Sequence, residues 1–563
     1  MRIRLLLACL LIVAAPAGAQ TASRHMVAAG HPLAAEAGLG ALRAGGSAVD
    51  AAIATQMVLT LVEPQSSGIG GGALLLHWDA ASRALDAWDG RETAPAAATP
   101  ELFLRDGRPM PFFDAVVGGR SVGVPGAVRM LEAAHRAHGR LPWADLVAPA
   151  IRLAEQGFAV SPRLAEAIAA DAARLSRDPG ARALFFTDAG QPLPAGHILR
   201  NPELAETLRA IAREGADALH RGPIALAIAE AVRGHPGNPG GLSTEDLAGY
   251  APMRREAVCA PYRRWRVCGF PPPSSGGVAI AQILGVLARF DIASLDPNGV
   301  EALHLLAEAG RLAFADRNLF LADSDVVPVP VRGLIDPGYL ALRSRLIERD
   351  RALAEPTAGD PPWRDGARRL SPQMSQPEAG TSHLSIIDAA GNAVAMTTTI
   401  ESAFGARMLV RGFLLNNQLT DFAFAPEAAG RPVANRVEPG KRPRSSMSPT
   451  LVFDADGRLV AAVGSPGGAR IIHYVARALV ALLDWGMEPQ AALALPHAGT
   501  IGTALDIEAG STIVALGPQL AALGHTVRPM PMPSGLQVIM VSPDAPRLRG
   551  GADPRREGVA IGD

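Results

Sequence analysis

The sequence predicts an α+β sandwich, and three observations predict it. Residues 384–387 and 393–400 read as the strands of a hairpin around the turn Asp388-Ala389-Ala390-Gly391-Asn392. Residues 74–78 and 83–88 form a similar pair around Asp79-Ala80-Ala81-Ser82. Apolar residues recur at helical spacing over 33–43, 48–61, 300–321 and 471–483. Strands and helices that each bury one face must stack in layers. With 48% hydrophobic and 19% charged residues over 563 positions, the chain has the apolar content for a large core and is not disordered.

In chain order, Arg2 and Arg4 precede an apolar run over 5–15 and the small-residue site Ala17-Gly18-Ala19. This is the pattern of a signal peptide over 1–19, cleaved near Gln20, and it predicts a periplasmic or secreted protein. The run is too short to span a membrane, and no other stretch qualifies. The first helix stops at Gly45-Gly46 and the second before Pro64. Ser66-Ser67-Gly68-Ile69-Gly70-Gly71-Gly72-Ala73 imitates a dinucleotide fingerprint, but that motif needs a strand before it and a helix after it. The order here is the reverse, so the glycines predict close backbone packing beside a buried site.

Residues 127–233 are rich in Ala, Leu and Arg and read as mostly helical. Cys259 and Cys268 flank two short strand-like runs, and either a cross-strand disulfide or two buried thiols fits them. Two Cys without nearby His do not complete a tetrahedral metal shell. Pro271-Pro272-Pro273-Ser274-Ser275 is a rigid approach to a helix over 278–290, with Ser274 or Ser275 as its N-cap. Residues 351–380 are polar, Pro-rich and aperiodic, the composition of a mobile linker. Strands follow it, then helices over 471–483 and 489–495 and a strand over 536–541. A net charge of −1 gives no electrostatic case for nucleic acid. Lys441 is the only lysine, so no mechanism can draw on another.

The linker ends at Gly380-Thr381, at the head of the hairpin. A Thr hydroxyl inside a chain is a weak nucleophile. If the preceding bond is cut, the same residue gains an α-amine with an ordinary pKa of about 7.7–8.0, a built-in base.

Gly380-Thr381-Ser382-His383, Asn416-Asn417-Gln418-Leu419-Thr420-Asp421-Phe422, Lys441-Arg442-Pro443-Arg444-Ser445-Ser446-Met447-Ser448-Pro449-Thr450 and Gly464-Ser465-Pro466-Gly467-Gly468 follow one another in that order. Together they resemble the gamma-glutamyltransferase family, from near Met26 to Asp553-Pro554-Arg555. The resemblance implies the four-layer αββα sandwich of N-terminal-nucleophile hydrolases. It implies a precursor split into a large subunit, 20–380, and a small catalytic subunit, 381–563, which stay together as a heterodimer. It implies no cofactor, metal, nucleic acid or membrane partner, only small γ-glutamyl substrates and amino acid or peptide acceptors.

Residue by residue, it makes Thr381 the nucleophile and Thr399 the hydroxyl that orients it. Backbone N–H groups of Gly467 and Gly468 become the oxyanion hole. Arg91, Ser445 and Ser446 receive an α-carboxylate, while Asp421, Glu401 and Gln418 receive an α-ammonium. Glu401 stands where some family members carry Asn. His383, two residues past Thr381, reads as a buried structural residue. The stretch 422–440 looks shortened where some members carry an aromatic lid, and it holds no Tyr or Trp. Two other readings remain: an acylase of the same superfamily that hydrolyses glutaryl-type side chains of β-lactams, and a non-catalytic periplasmic protein on this fold.

Overall fold

The computed structural model describes residues 20–363, 370–373, 380–545 and 547–563. The expected signal peptide lies outside the described residues. Fourteen strands make two seven-stranded sheets. In chain order they are β1 (Gln20–Ala22), β2 (Met26–Ala29), β3 (Gly72–Asp79), β4 (Ala84–Gly90), β5 (Met253–Arg255), β6 (Val258–Tyr262) and β7 (Trp265–Gly269). They continue as β8 (Ser382–Ile387), β9 (Ala393–Thr399), β10 (Thr450–Phe453), β11 (Leu459–Gly464), β12 (Gln537–Val541), β13 (Leu548–Ala552) and β14 (Val559–Gly562). One sheet runs β14-β2-β8-β9-β3-β4-β5 and the other β1-β13-β12-β11-β10-β7-β6. Every pairing within them is antiparallel.

The two sheets face each other, and Trp78 of β3 meets Phe453 of β10 edge-on with ring centroids 4.7 Å apart. Alternation along β3 decides which side chain goes where. Leu74, Leu76 and Trp78 enter the layer between the sheets, while Ala73 and Leu75 join the helix layer outside. That outer layer holds α1 (Pro32–Arg43), α2 (Ala48–Val62) and α3 (Ala127–His138). Behind the second sheet lie α4 (Gly276–Leu287), α5 (Val300–Phe320) and α6 (Ile471–Leu483). Helix, sheet, sheet, helix is the expected αββα order.

Local chemistry explains the boundaries. Ser47 caps α2 through a reciprocal capping box with Asp50. The predicted hairpin is β8–β9, closed by Asp388, whose carboxylate accepts from Asn392 N at 2.9 Å. Cys259 and Cys268 sit directly opposite in β6–β7 and are bridged.

Two expectations need correction. The helix after Pro273 starts at Gly276 rather than 278; Ser275 stands at its N-cap position, and Ser274 Oγ accepts from Gly276 N at 3.1 Å. The Ser275 hydroxyl donates to Ser445 O at 2.8 Å, so this approach holds a loop as well as the helix start. Region 127–233 is mostly helical, as expected, with one small pairing of Phe158–Ala159 with Ile198–Leu199. The described part of 351–380 is tied to the body: Ala352 N donates to Leu523 O at 2.7 Å and Gln373 N to Asn318 O at 3.0 Å. A Pro-rich composition lowers periodicity, and backbone donors still find partners.

The glycine run fits its predicted role. A Cβ on Gly71 would lie 2.0 Å from Thr399 O, and one on Gly70 2.1 Å from Leu414 O. Gly40, on the exposed face of α1, has nothing within 4 Å. Gly71→Ala is expected to destabilise the protein by about 1–3 kcal/mol through overpacking. Gly40→Ala should stabilise it by about 0.5–1 kcal/mol, the ordinary helix gain. Thermal denaturation of the two variants should shift in opposite directions.

Candidate active site

The β8–β9 register pairs Ser382 with Thr398, which sets Thr381 across from Thr399. Their hydroxyl oxygens are 3.0 Å apart, and Thr399 Oγ1 also accepts from Glu401 N at 2.8 Å. Thr381 N donates to Ser66 O at 2.9 Å, and Thr381 O accepts from Arg556 Nη1 at 2.9 Å. Thr381 has φ 94°, a left-handed conformation that is strained for a β-branched residue. Gly380 is wedged beside it: a Cβ there would lie 1.9 Å from Glu401 O. The glycine is therefore needed for close approach.

One small buried pocket is walled by Thr381, Thr399, Arg91, Glu401, Gln418, Asp421, Ser445, Ser446 and Gly468, with Met447 and Ile471 as its apolar side. Nearly every residue expected at the site is thus brought together. Gly467 sits just behind Gly468. Both have positive φ, 132° and 59°, in the turn between β11 and α6. No residue of 422–440 lines the pocket. The described hairpin of that stretch, Glu427–Ala428 with Arg431–Pro432, is largely exposed.

Arg91 follows β4 directly and is fully buried. Its backbone is fixed at both ends: Arg91 N donates to Asp89 Oδ1 at 2.8 Å and Tyr250 OH to Arg91 O at 2.8 Å. Nε donates to Pro443 O at 3.1 Å, and Nη2 pairs with Asp421 Oδ2. The expected carboxylate and ammonium anchors therefore already form one ion pair. Gln418 Nε2 donates to the same Asp421 oxygen at 2.7 Å. Glu401, in a left-handed conformation at φ 78°, accepts from Asn417 Nδ2. Ser446 Oγ accepts from Arg317 Nη2 at 2.7 Å, and Arg317 Nε donates to Ser275 Oγ at 2.9 Å.

His383 is buried, with Nδ1 2.9 Å from Thr397 Oγ1 and Nε2 3.1 Å from Ser385 Oγ. Burial pushes its pKa down to about 3, so it stays neutral. The structural reading of this residue agrees with that environment.

Sequence reasoning missed several supports. Glu63, at the end of α2, accepts from Ser382 Oγ at 2.7 Å and pairs with Arg163 Nη1 at 2.5 Å. Ser67 Oγ lies 3.2 Å from Ser382 Oγ. Arg317 and Asn417 orient pocket residues without lining it. Asn417 lies within the 416–422 motif, beside the residues expected at the head group. Glu63 and Arg317 carry no local pattern that marks them.

Fold and site together define a protein of the N-terminal-nucleophile hydrolase class. The Gamma-glutamyltranspeptidase family profile matches residues 34–563. The chain is 38% identical over 547 residues to a glutathione hydrolase proenzyme of Bacillus subtilis (strain 168), covering 95% of this chain and 91% of that one. It is also 38% identical over 548 residues to the acylase ACY 1 proenzyme of Pseudomonas sp. (strain SE83), covering 96% and 93%. Among solved structures, a cephalosporin acylase from Bacillus halodurans matches with TM-score 0.86 at 28% identity, covering 100% of this chain and 99% of that one. The Helicobacter pylori gamma-glutamyltranspeptidase matches with TM-score 0.57 at 34% identity, covering 60% and 96%. The chain belongs to the gamma-glutamyltranspeptidase family.

Glu92 gives this pocket a titration of its own. It is completely buried 3.7 Å from Arg91 Nη1, and burial raises its carboxyl from the ordinary 4.5 to about 8 despite that guanidinium. Between those values the native state keeps a proton that the unfolded chain has released. Stability must fall as pH rises across that window. Glu92→Gln mimics the protonated form, so its melting temperature should match wild type near pH 4 and exceed it increasingly toward pH 8. A difference independent of pH would contradict a protonated Glu92.

Proposed function

We propose that the chain is an exported proenzyme that cuts itself at Gly380–Thr381 and then cleaves γ-glutamyl amides such as glutathione. The observation that carries this reading is the 3.0 Å pairing of Thr381 and Thr399 hydroxyls in a pocket that also holds Arg91 and Asp421. In maturation the Thr381 hydroxyl attacks the Gly380 carbonyl. The amide becomes an ester by an N-to-O acyl shift, and water hydrolyses the ester. The positive φ of Thr381 supports this step, because cutting the bond removes the constraint that strains it. The 1–19 stretch supplies the export signal.

In turnover the freed α-amine takes the hydroxyl proton as Thr381 Oγ1 attacks the γ-carbonyl of substrate. The oxyanion is received by backbone N–H groups of Gly467 and Gly468, which typically contribute about 2.7–4 kcal/mol per donor. The α-ammonium returns its proton to the leaving amine, leaving a γ-glutamyl ester. Water or an amino acid then accepts the acyl group. Ser66 O, which holds Thr381 N in the uncut chain, is placed to hold the new amine. A zwitterionic head group adds one charge of each sign beside the Arg91–Asp421 pair, so the pocket stays balanced. The 422–440 stretch, with no Tyr or Trp and a largely exposed hairpin, supports water or a bulky group as acceptor.

The likeness to acylases keeps the second reading in play, in which the acyl group is glutaryl and has no α-amine. For that group the side of the pocket formed by Asp421 and Glu401 would meet no ammonium. Rates on γ-glutamyl and glutaryl p-nitroanilide should therefore differ, the γ-glutamyl compound reacting faster. Arg91→Lys should lower kcat/KM on it by about 10–100-fold, the loss of a charged hydrogen bond. Thr381→Ala should run on a denaturing gel as one intact chain. Faster glutaryl release would favour the acylase reading, and a Thr381→Ala protein that still splits would remove Thr381 from maturation.

A further inference from the structure

We propose that His77, Asp86 and His138 form a binding site for one divalent transition-metal ion, with Zn2+ the best match to its donors. The site lies on the outer face of the first sheet and shares no residue with the active-site pocket. His77 and Asp86 are direct cross-strand partners on β3 and β4. His138 is the last residue of α3, which ends over that strand pair. One ring nitrogen from each histidine and one carboxylate oxygen lie within 4.8 Å of one another.

Three features separate this cluster from an ordinary ion pair. The two imidazoles lie against each other, with ring centroids 4.0 Å apart and planes tilted by 33°. His77 Nδ1 and His138 Nε2 are buried without a hydrogen bond. His138 Nε2 is 3.1 Å from Asp86 Oδ2, close but without hydrogen-bond alignment. Tetrahedral Zn2+ with bonds of about 2.0–2.1 Å places its ligand atoms roughly 3.3 Å apart, so this pair is already at coordinating distance. Asp86 divides its oxygens: Oδ1 accepts from Arg254 Nε at 2.9 Å, leaving Oδ2 for the ion. A ligating carboxylate held by an outer donor in this way is the usual second-shell pattern. The side chain of His138 is 16% exposed, which gives an ion an entry path and a water for its fourth position.

A second cluster, His304, Glu308 and His525, has comparable spacing but no free capacity. His304 Nδ1 meets His525 Nε2 at 2.8 Å, and His304 Nε2 meets Glu348 O at 2.7 Å. Glu308 accepts from Arg311 Nη1 at 2.8 Å and Leu353 N at 2.7 Å. Its ligand atoms are mostly taken by these bonds, whereas His77 Nδ1 and His138 Nε2 make none.

An ion at His77, Asp86 and His138 would tie the end of α3 to the strand pair that leads into Arg91. Its role is structural, fixing the strand that delivers the head-group anchor. The test is calorimetric titration of Zn2+ into the full, tag-free, chelator-treated protein, with Co2+ absorption as a check on coordination. Wild type should take up one Zn2+ per chain, give the intense visible bands of low-coordinate Co2+, and melt at higher temperature with Zn2+. His138→Ala should weaken binding by at least about 100-fold, lose those bands, and show no rise in melting temperature with Zn2+. If that variant does not fold, the isosteric Asp86→Asn replaces it with the same expectations. No stoichiometric binding by wild type, or wild-type affinity in the folded variant, overturns the proposal.

Discussion

The structure of the site depends on one backbone oxygen. Ser66 O accepts from Thr381 N at 2.9 Å and from Ile400 N at 3.2 Å, so it ties the head of β8 to the end of β9. The carbonyl reaches that place because α2 ends at Val62 and the glycine run follows at once. Gly70 and Gly71 carry no Cβ, which lets the backbones at Leu414 and Thr399 close to near contact. The two threonine hydroxyls meet at 3.0 Å as a consequence of this packing. Sheet register alone would place them opposite each other, but the Ser66 bridge fixes how far apart they stand.

Around that bridge the pocket solves a charge problem. Burying Arg91 is costly unless it is paired, and Asp421 pairs it. A second carboxylate, Glu92, lies against the same guanidinium and holds its proton instead. Side-chain donors then fix the polar groups of the pocket from behind: Gln418 on Asp421, Asn417 on Glu401, Arg317 on Ser446. Such wiring holds the head-group pocket in one geometry before a substrate arrives, which limits the reorganisation needed on binding.

The layers, the hairpin and most helix limits could be read from periodicity and turn residues, because burial on one face leaves a period of two or 3.6. The site was legible in part. Thr381 and Thr399 are close in sequence and joined by a turn, so local pattern places them together. Arg91 lies hundreds of residues from Asp421 and Ser445, and only the family resemblance joined them. Ser66 was invisible as a functional residue because it acts through its carbonyl, which every residue has. Ser275 was legible only in part for a related reason: it stands at the cap position, yet its hydroxyl donates to Ser445 O, a contact that exists only after folding. The described parts of 351–380 are hydrogen-bonded to the body for the same reason, since non-local partners leave no trace in composition.

The central claim is that Thr381 becomes the first residue of a new chain and thereby gains its base. The most direct measurement is the N-terminal sequence and intact mass of the smaller fragment of purified protein. The account predicts a fragment beginning Thr381-Ser382-His383 and ending with the chain. A fragment that starts at any other residue, or a fully active protein that remains one chain, would contradict it.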